Sequence, residues 1–229
     1  MKKSLTSYFL NKKYHFYNFP EQLTIEDYQR TEEAIVAHLK KKKEITSIYR
    51  LGTIHHPGIS DLDIVYVAEK LADKNRDEYL SLKKVKGVDF RVLTHSIFSL
   101  NRFCFENINS CFHLSQITHL DGEQILCGQP PEDGRILKNV FSIIGSEASS
   151  LDFFYRLKTQ DHFNVRRTLM RLYAVRYDMA GVKIFNHDGN PFWDEFNDQS
   201  FSLRENWFSL DDKKRITLML DLCDRAVTV

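Results

Sequence analysis

Residues 49–67 read YRLGTIHHPGISDLDIVYV, and the second half of that stretch decides the fold. The run DLDIVYV is rich in β-branched and aromatic residues, which favours a strand. Successive strand side chains point to opposite faces, so Asp61 and Asp63 share one face while Leu62 and Ile64 share the other. Two neighbouring carboxylates repel, and each costs free energy to desolvate. A divalent cation held between them removes the conflict. A solvated strand end removes it as well, so the triplet alone does not choose.

The flanking sequence adds context. ITSIYRLG, residues 45–52, reads as a first strand ending in Gly52-Thr53, and DLDIVYVA, 61–68, as a second. GVDFRVLT, 87–94, reads as a third strand and carries a further acid, Asp89, which is either a site residue or the ion-pair partner of Arg91, two residues along on the same strand face. Upstream, TIEDYQRTEEAIVAHLKKKK over 24–43 predicts a helix, with an apolar stripe, Thr24 and acids at its start and lysines at its end. Residues 73–84 suggest a short polar helix, and 95–103 another. Residues 110–120 and 123–128 suggest short strands around an Asp121-Gly122 turn.

GQPPEDGR, 128–135, interrupts any regular element. Beyond it the pattern turns helical: one long helix or two shorter ones over 149–181 ending at Gly181, a loop over 186–200, and a last helix over 209–227 with Ser209 as N-cap. The expected class is α+β. A mixed β-sheet with flanking helices occupies residues 1–130, followed by a helical domain at 131–229.

Bulk composition sets limits on partners. The chain has 229 residues, 42% of them apolar and 28% charged, as in ordinary globular proteins. Lys+Arg is 32 against Asp+Glu 31, so no global field draws it to nucleic acid or an anionic membrane. Cys104, Cys111, Cys127 and Cys223 form no C-x-x-C pair, which argues against a zinc site or a disulfide framework. The apolar part of MKKSLTSYFLNKK is too short for a secretory core, and no run approaches a membrane span. The expectation is a cytoplasmic chain with reduced thiols and no membrane partner.

The ordered set LGT…SDLDIVYV plus a later acid resembles the nucleotidyltransferase superfamily that includes DNA polymerase beta, the aminoglycoside nucleotidyltransferases and the minimal nucleotidyltransferases. That family's pattern is a strand ending in Gly-Ser, a loop, then D-x-D, with a third carboxylate on a neighbouring strand. The resemblance covers residues 24–135. It implies the nucleotidyltransferase fold and transfer of a nucleoside monophosphate from a nucleoside triphosphate, ATP first among them, to a hydroxyl. It also implies a catalytic and metal-binding role for Asp61, Asp63 and Asp89 around two Mg²⁺ ions, with Mn²⁺ as a substitute. Two such ions about 3.5–4 Å apart stabilise the attacking and leaving oxygens of an in-line displacement. Gly52, Thr53 and Ser60 would bind the nucleotide, Gly52 by letting the backbone come close to the triphosphate. Thr53 stands where the family has Ser and keeps the hydroxyl. Only seven residues, IHHPGIS, separate Thr53 from Asp61, fewer than the family usually has, with His55 and His56 among them.

In the helical half, Arg167 and Arg171 lie four apart on one helix face, with Arg156 and Lys158 upstream. That face can bind a triphosphate tail, or it can be a solvated face with local partners. Phe153, Phe154 and Tyr155 are a base-stacking set or core. The aminoglycoside-modifying members of that family hold cationic substrates in acidic pockets, so the resemblance implies such a role for Asp194, Glu195 and Asp198; the alternative is ordinary loop charges.

Three functional readings follow. The first is a Mg²⁺-dependent nucleotidyltransferase acting on a small molecule, protein or RNA. The second is an inactive module on the same fold that binds nucleotide or another protein, which the short loop favours. The third is an RNA-binding protein using the basic helix, which the near-zero net charge disfavours.

Overall fold

Thr24 starts the first helix, α1 (Ile25–Leu39). The Asp27 carboxylate accepts the Thr24 backbone N–H at 2.8 Å, satisfying a donor that helix geometry leaves without an internal partner. The computed structural model describes residues 9–10, 12–69, 81–110, 116–128, 150–186 and 191–228. These fall into two units, Glu21–Arg135 and a second made of Met1–Pro20 with Ile136–Val229. Among the described residues the class is α+β, with a mixed sheet and six α-helices.

In the first unit the sheet runs β4 (Phe98–Leu100), β3 (Asp63–Ala68), β2 (Ile45–Leu51), β5 (Ile117–Gly122). Strand β2 is antiparallel to both β3 and β5, whereas β3 and β4 are parallel. Strand alternation puts Ile64, Tyr66 and Ala68 into one core with Ile48 and with Tyr28, Ile35 and Leu39 of α1. Val65 and Val67 enter a second core with Tyr49, Leu51, Phe105, Ile108 and Ile125. The sheet is therefore covered on both faces, which explains the nearly continuous apolar run of β3. Asp63 opens that strand, at 32% side-chain exposure, and Asp61 lies just before it at 18%.

Residues 87–94 form turns, bends and irregular backbone rather than the expected strand. Gly87 has φ +96, and the Asp89 carboxylate accepts the Arg91 backbone N–H at 2.9 Å, an Asx-type turn. That local chemistry overrides the β-branched residues around it. The region expected as a helix at 95–103 instead holds β4, followed by α2 (Arg102–Glu106), which Asn101 caps through Cys104 N–H at 2.7 Å. Gly122 ends β5 at φ +85. Of the expected helix at 73–84, residues 73–80 lie outside the described residues, as do 111–115 of the expected strand at 110–120. Residues 123–128 form no strand.

The second unit joins β1 (His15–Tyr17) in parallel to β6 (His162–Asn164). Residues that the sequence suggests belong with the sheet domain thus pair with the helical part. Helix α3 (Ser150–Leu157) and helix α4 (Val165–Asn186) flank β6, so the two-helix alternative holds, and α4 runs through Gly181. Asn164 starts α4, its side chain accepting the Arg167 N–H at 3.0 Å. The expected loop over 186–200 is mostly helix α5 (Pro191–Glu205), with Pro191 at its first position, where a missing N–H costs nothing. Residues 187–190 lie outside the described residues. The last helix, α6 (Asp212–Thr228), begins later than expected. Asp211 rather than Ser209 caps it, accepting the Lys214 N–H at 2.9 Å. No helix among the described residues is long and apolar enough to cross a membrane.

Candidate metal centre

Asp61 and Asp63 converge on a residue that sequence reading did not single out, His95. The convergence has a backbone cause. Leu62 N–H donates to Val92 O at 2.9 Å, and Val92 and Leu93 are buried, so the chain after the Asp89 turn is pinned alongside the aspartates. Thr94 and His95 then reach the carboxylates. Thr94 Oγ1 donates to Asp61 Oδ2 at 2.6 Å. His95 Nε2 lies 2.6 Å from Asp63 Oδ1 and 3.4 Å from Asp61 Oδ2. The opposite ring nitrogen, Nδ1, is 2.8 Å from the Ser96 carbonyl, to which it donates. One donor atom from each of Asp61, Asp63 and His95 lies within 4.8 Å of the others, a group that can hold a metal ion.

Electrostatics separate the two aspartates. Burial acts to raise both. At Asp61 the hydrogen bonds from His95 and Thr94 outweigh burial and hold the carboxyl below its ordinary value. At Asp63 burial and the Asp61 charge win over the His95 hydrogen bond, and the value is raised. The hydrogen bonds to Asp61 and Asp63 push His95 up to about 10, so without a cation the imidazolium itself balances the two carboxylates. His95 thus faces both carboxylates of the charge conflict visible in the sequence, closer to Asp63 than to Asp61.

Asp89 is not part of this group. Its carboxylate is taken by Arg91, with Nη2 at 2.6 Å from Oδ2 and Nε at 3.0 Å from both oxygens. Arg91 also reaches Glu21 at 3.0 Å, and the Asp89 backbone N–H donates to Thr31 Oγ1 of α1 at 3.1 Å. The Arg91 hydrogen bond holds Asp89 below the ordinary carboxylate value. The expected third carboxylate is thus a structural ion pair, and His95 stands third beside Asp61 and Asp63.

The expected nucleotide-binding residues divide. The β2–β3 register pairs Leu51 with Asp63, so Gly52 follows the residue opposite Asp63 at the same end of the strand pair. Gly52 has φ +73, and a Cβ built on it meets nothing within 4 Å, so the space in front of it is open. Its N–H, however, donates to Gln116 O at 2.7 Å. Thr53 Oγ1 is hydrogen-bonded to His55 Nε2. Ser60 holds the loop together: its Oγ accepts the His56 N–H at 3.2 Å, and its carbonyl accepts the Tyr28 hydroxyl at 2.6 Å.

Arg167 and Arg171 belong to the other unit, where they stand 5.6 and 5.9 Å from the Phe153 ring centre. Phe154 is buried core there, whereas Tyr155 is exposed with Lys158 5.0 Å over its ring. The acidic side chains expected on a loop lie on α5, where Glu195 accepts from Gln199 at 2.8 Å.

Comparison with known proteins adds no family to this geometry: no family model matches the chain, and no curated protein or solved structure matches it.

Proposed function

We propose that the unit Glu21–Arg135 is a metal-dependent nucleotidyltransferase that moves a nucleoside monophosphate from a nucleoside triphosphate, ATP first among them, to a hydroxyl of a small molecule, protein or RNA. The observation that carries the reading is the β2–β3 register. It sets an open, positive-φ glycine and an aspartate pair at the same end of an antiparallel strand pair. Asp61 and Asp63 hold a divalent cation, Mg²⁺ in the simplest case, which stabilises charge on the triphosphate during transfer. Gly52 keeps the approach to the carboxylates clear of a side chain, and Thr94 orients Asp61. In the transfer the acceptor oxygen forms a bond to the α-phosphorus, the bond to pyrophosphate breaks, and the acceptor proton passes to solvent.

A second reading is a module that binds nucleotide without turnover. Sequestration of Asp89 by Arg91 favours it, because the group then has two carboxylates rather than three. One experiment separates the readings: incubate the protein with α-labelled nucleoside triphosphates and Mg²⁺ or Mn²⁺, alone and with cell extract. Pyrophosphate release that disappears in Asp61→Ala and Asp63→Ala supports the enzyme. Nucleotide binding without turnover supports the module. Binding of neither metal nor nucleotide removes both.

A further inference from the structure

We propose that His95 is a third metal ligand, through Nε2, and that its imidazole turns the Asp61–Asp63 site from Mg²⁺ toward a first-row divalent cation such as Mn²⁺ or Zn²⁺. The inference rests on reading the aspartate pair as a cation site and adds the identity of the cation.

Three observations carry it. First, Nε2 is the His95 atom aimed at the carboxylates, 2.6 Å from Asp63 and 3.4 Å from Asp61. Second, Nδ1 donates to the Ser96 carbonyl at 2.8 Å. A metal-ligating histidine characteristically gives its other ring N–H to a carbonyl or carboxylate, which fixes the ring, and Nε2 gives up its proton to solvent when it exchanges the carboxylates for the ion. Ser96 lies outside the Asp61–Asp63–His95 group, so this bond orients the ring independently of the aspartates. Third, the segment that presents His95 is tied to the strand by the Leu62–Val92 backbone bond, so the ring does not ride on a free loop.

Ligand chemistry then sets the preference. Mg²⁺ takes hard oxygen ligands in a near-ideal octahedron and keeps several waters. An imidazole raises affinity for first-row ions in the order that puts Mn²⁺ lowest and favours Co²⁺ and Zn²⁺ above it. Two carboxylates and one imidazole form a mixed oxygen–nitrogen set for which Mg²⁺ is the poorer guest. At 39% side-chain exposure His95 also leaves the ion an entry path from solvent.

The test titrates the full chain with Mn²⁺ and with Mg²⁺. Free Mn²⁺ is read by electron paramagnetic resonance and bound Mn²⁺ by pulsed resonance for nitrogen coupling. Wild type is expected to bind Mn²⁺ at least about tenfold tighter than Mg²⁺, with an imidazole nitrogen coupling. His95→Asp, which restores an all-oxygen set, is expected to lose the coupling and narrow the ratio. Circular dichroism checks the fold of His95→Asp and of His95→Ala; should the alanine variant lose its fold, the wild-type coupling decides. Bound Mn²⁺ without nitrogen coupling overturns the inference and leaves the cation site standing. Tighter binding in His95→Ala overturns it too, marking His95 as a counter-charge that competes with the ion. Wild type that binds neither ion removes the cation site itself.

Discussion

The Tyr28 hydroxyl lies 2.6 Å from the carbonyl oxygen of Ser60, the residue immediately before Asp61. The same hydroxyl accepts the Gly58 N–H at 3.0 Å, and Tyr28 is fully buried on α1. One phenol thereby anchors the loop that delivers the first aspartate. The Asp61–Asp63–His95 group depends on a helix that supplies none of its members.

Tyr28→Phe keeps the ring packing and leaves a buried carbonyl and a buried N–H short of a partner. It is expected to destabilise the protein by about 1–3 kcal/mol and to weaken divalent-cation binding while the Asp61 and Asp63 side chains stay intact. Denaturant unfolding and metal titration of the same samples check both parts. Full stability with unchanged metal affinity would show that the loop is held without the hydroxyl.

Two glycines with positive φ differ in what surrounds them. Gly52→Ala is expected to cost only the backbone penalty of about 1–2 kcal/mol, because its Cβ enters open space. Gly122→Ala is expected to cost about 3 kcal/mol or more, because its Cβ runs into the Thr46 backbone. If the space beside Asp63 receives a triphosphate, Gly52→Ala also weakens nucleotide binding beyond its effect on stability. Thermal unfolding ranks the two substitutions, and nucleotide titration of Gly52→Ala reads the second effect.

What the sequence made legible was local. Alternation over 61–68 placed Asp61 and Asp63 on one side, and Thr24 with the apolar stripe located α1. What it hid was mostly long-range or a matter of competing local chemistry. His95 joins the aspartates through a backbone bond between Leu62 and Val92, and no periodicity encodes that. Residues 87–94 carry strand-forming side chains, but Gly87 and the Asp89 side chain make turns; the Asp89–Arg91 pair was legible as an alternative from the two-residue spacing, though on a turn rather than a strand. The aromatic, acidic text after Pro191 looked like a loop because its helix start is a proline rather than a conventional N-cap. Pairing of β1 with β6 joins distant segments, which composition does not report.

The Asp89–Arg91 pair predicts an acid-range effect. Arg91 is the principal cause of the depressed Asp89 value, aided by the more distant Arg30, while Glu21 shares the Arg91 guanidinium. A carboxylate depressed by folding adds stability above its unfolded value near 3.9 and loses it as pH falls through the lower folded value. Arg91 is half exposed, so screening limits the gain to below about 1 kcal/mol. Asp89→Asn is therefore expected to flatten the fall in stability on the acid side and to leave metal affinity unchanged. Denaturant unfolding across the acid range reads the first expectation. Loss of metal binding in the same variant would return Asp89 to the site.

Thr94 holds Asp61 by a 2.6 Å hydrogen bond and ligates nothing in the Asp61–Asp63–His95 group. Its hydroxyl acts against burial to hold the Asp61 carboxyl below its ordinary value, and it binds the same oxygen, Oδ2, that faces His95. Outer partners of metal ligands commonly carry about 10–100-fold in affinity. Thr94→Val preserves the side-chain shape and removes the donor, so metal affinity is expected to fall on that scale while Thr94→Ser restores it. Because Thr94 is exposed, global stability should barely move. Metal titration of the pair, with thermal unfolding alongside, distinguishes orientation of Asp61 from general loosening. A loss in the serine variant with none in the valine variant would mean that the methyl packing matters and the hydroxyl does not.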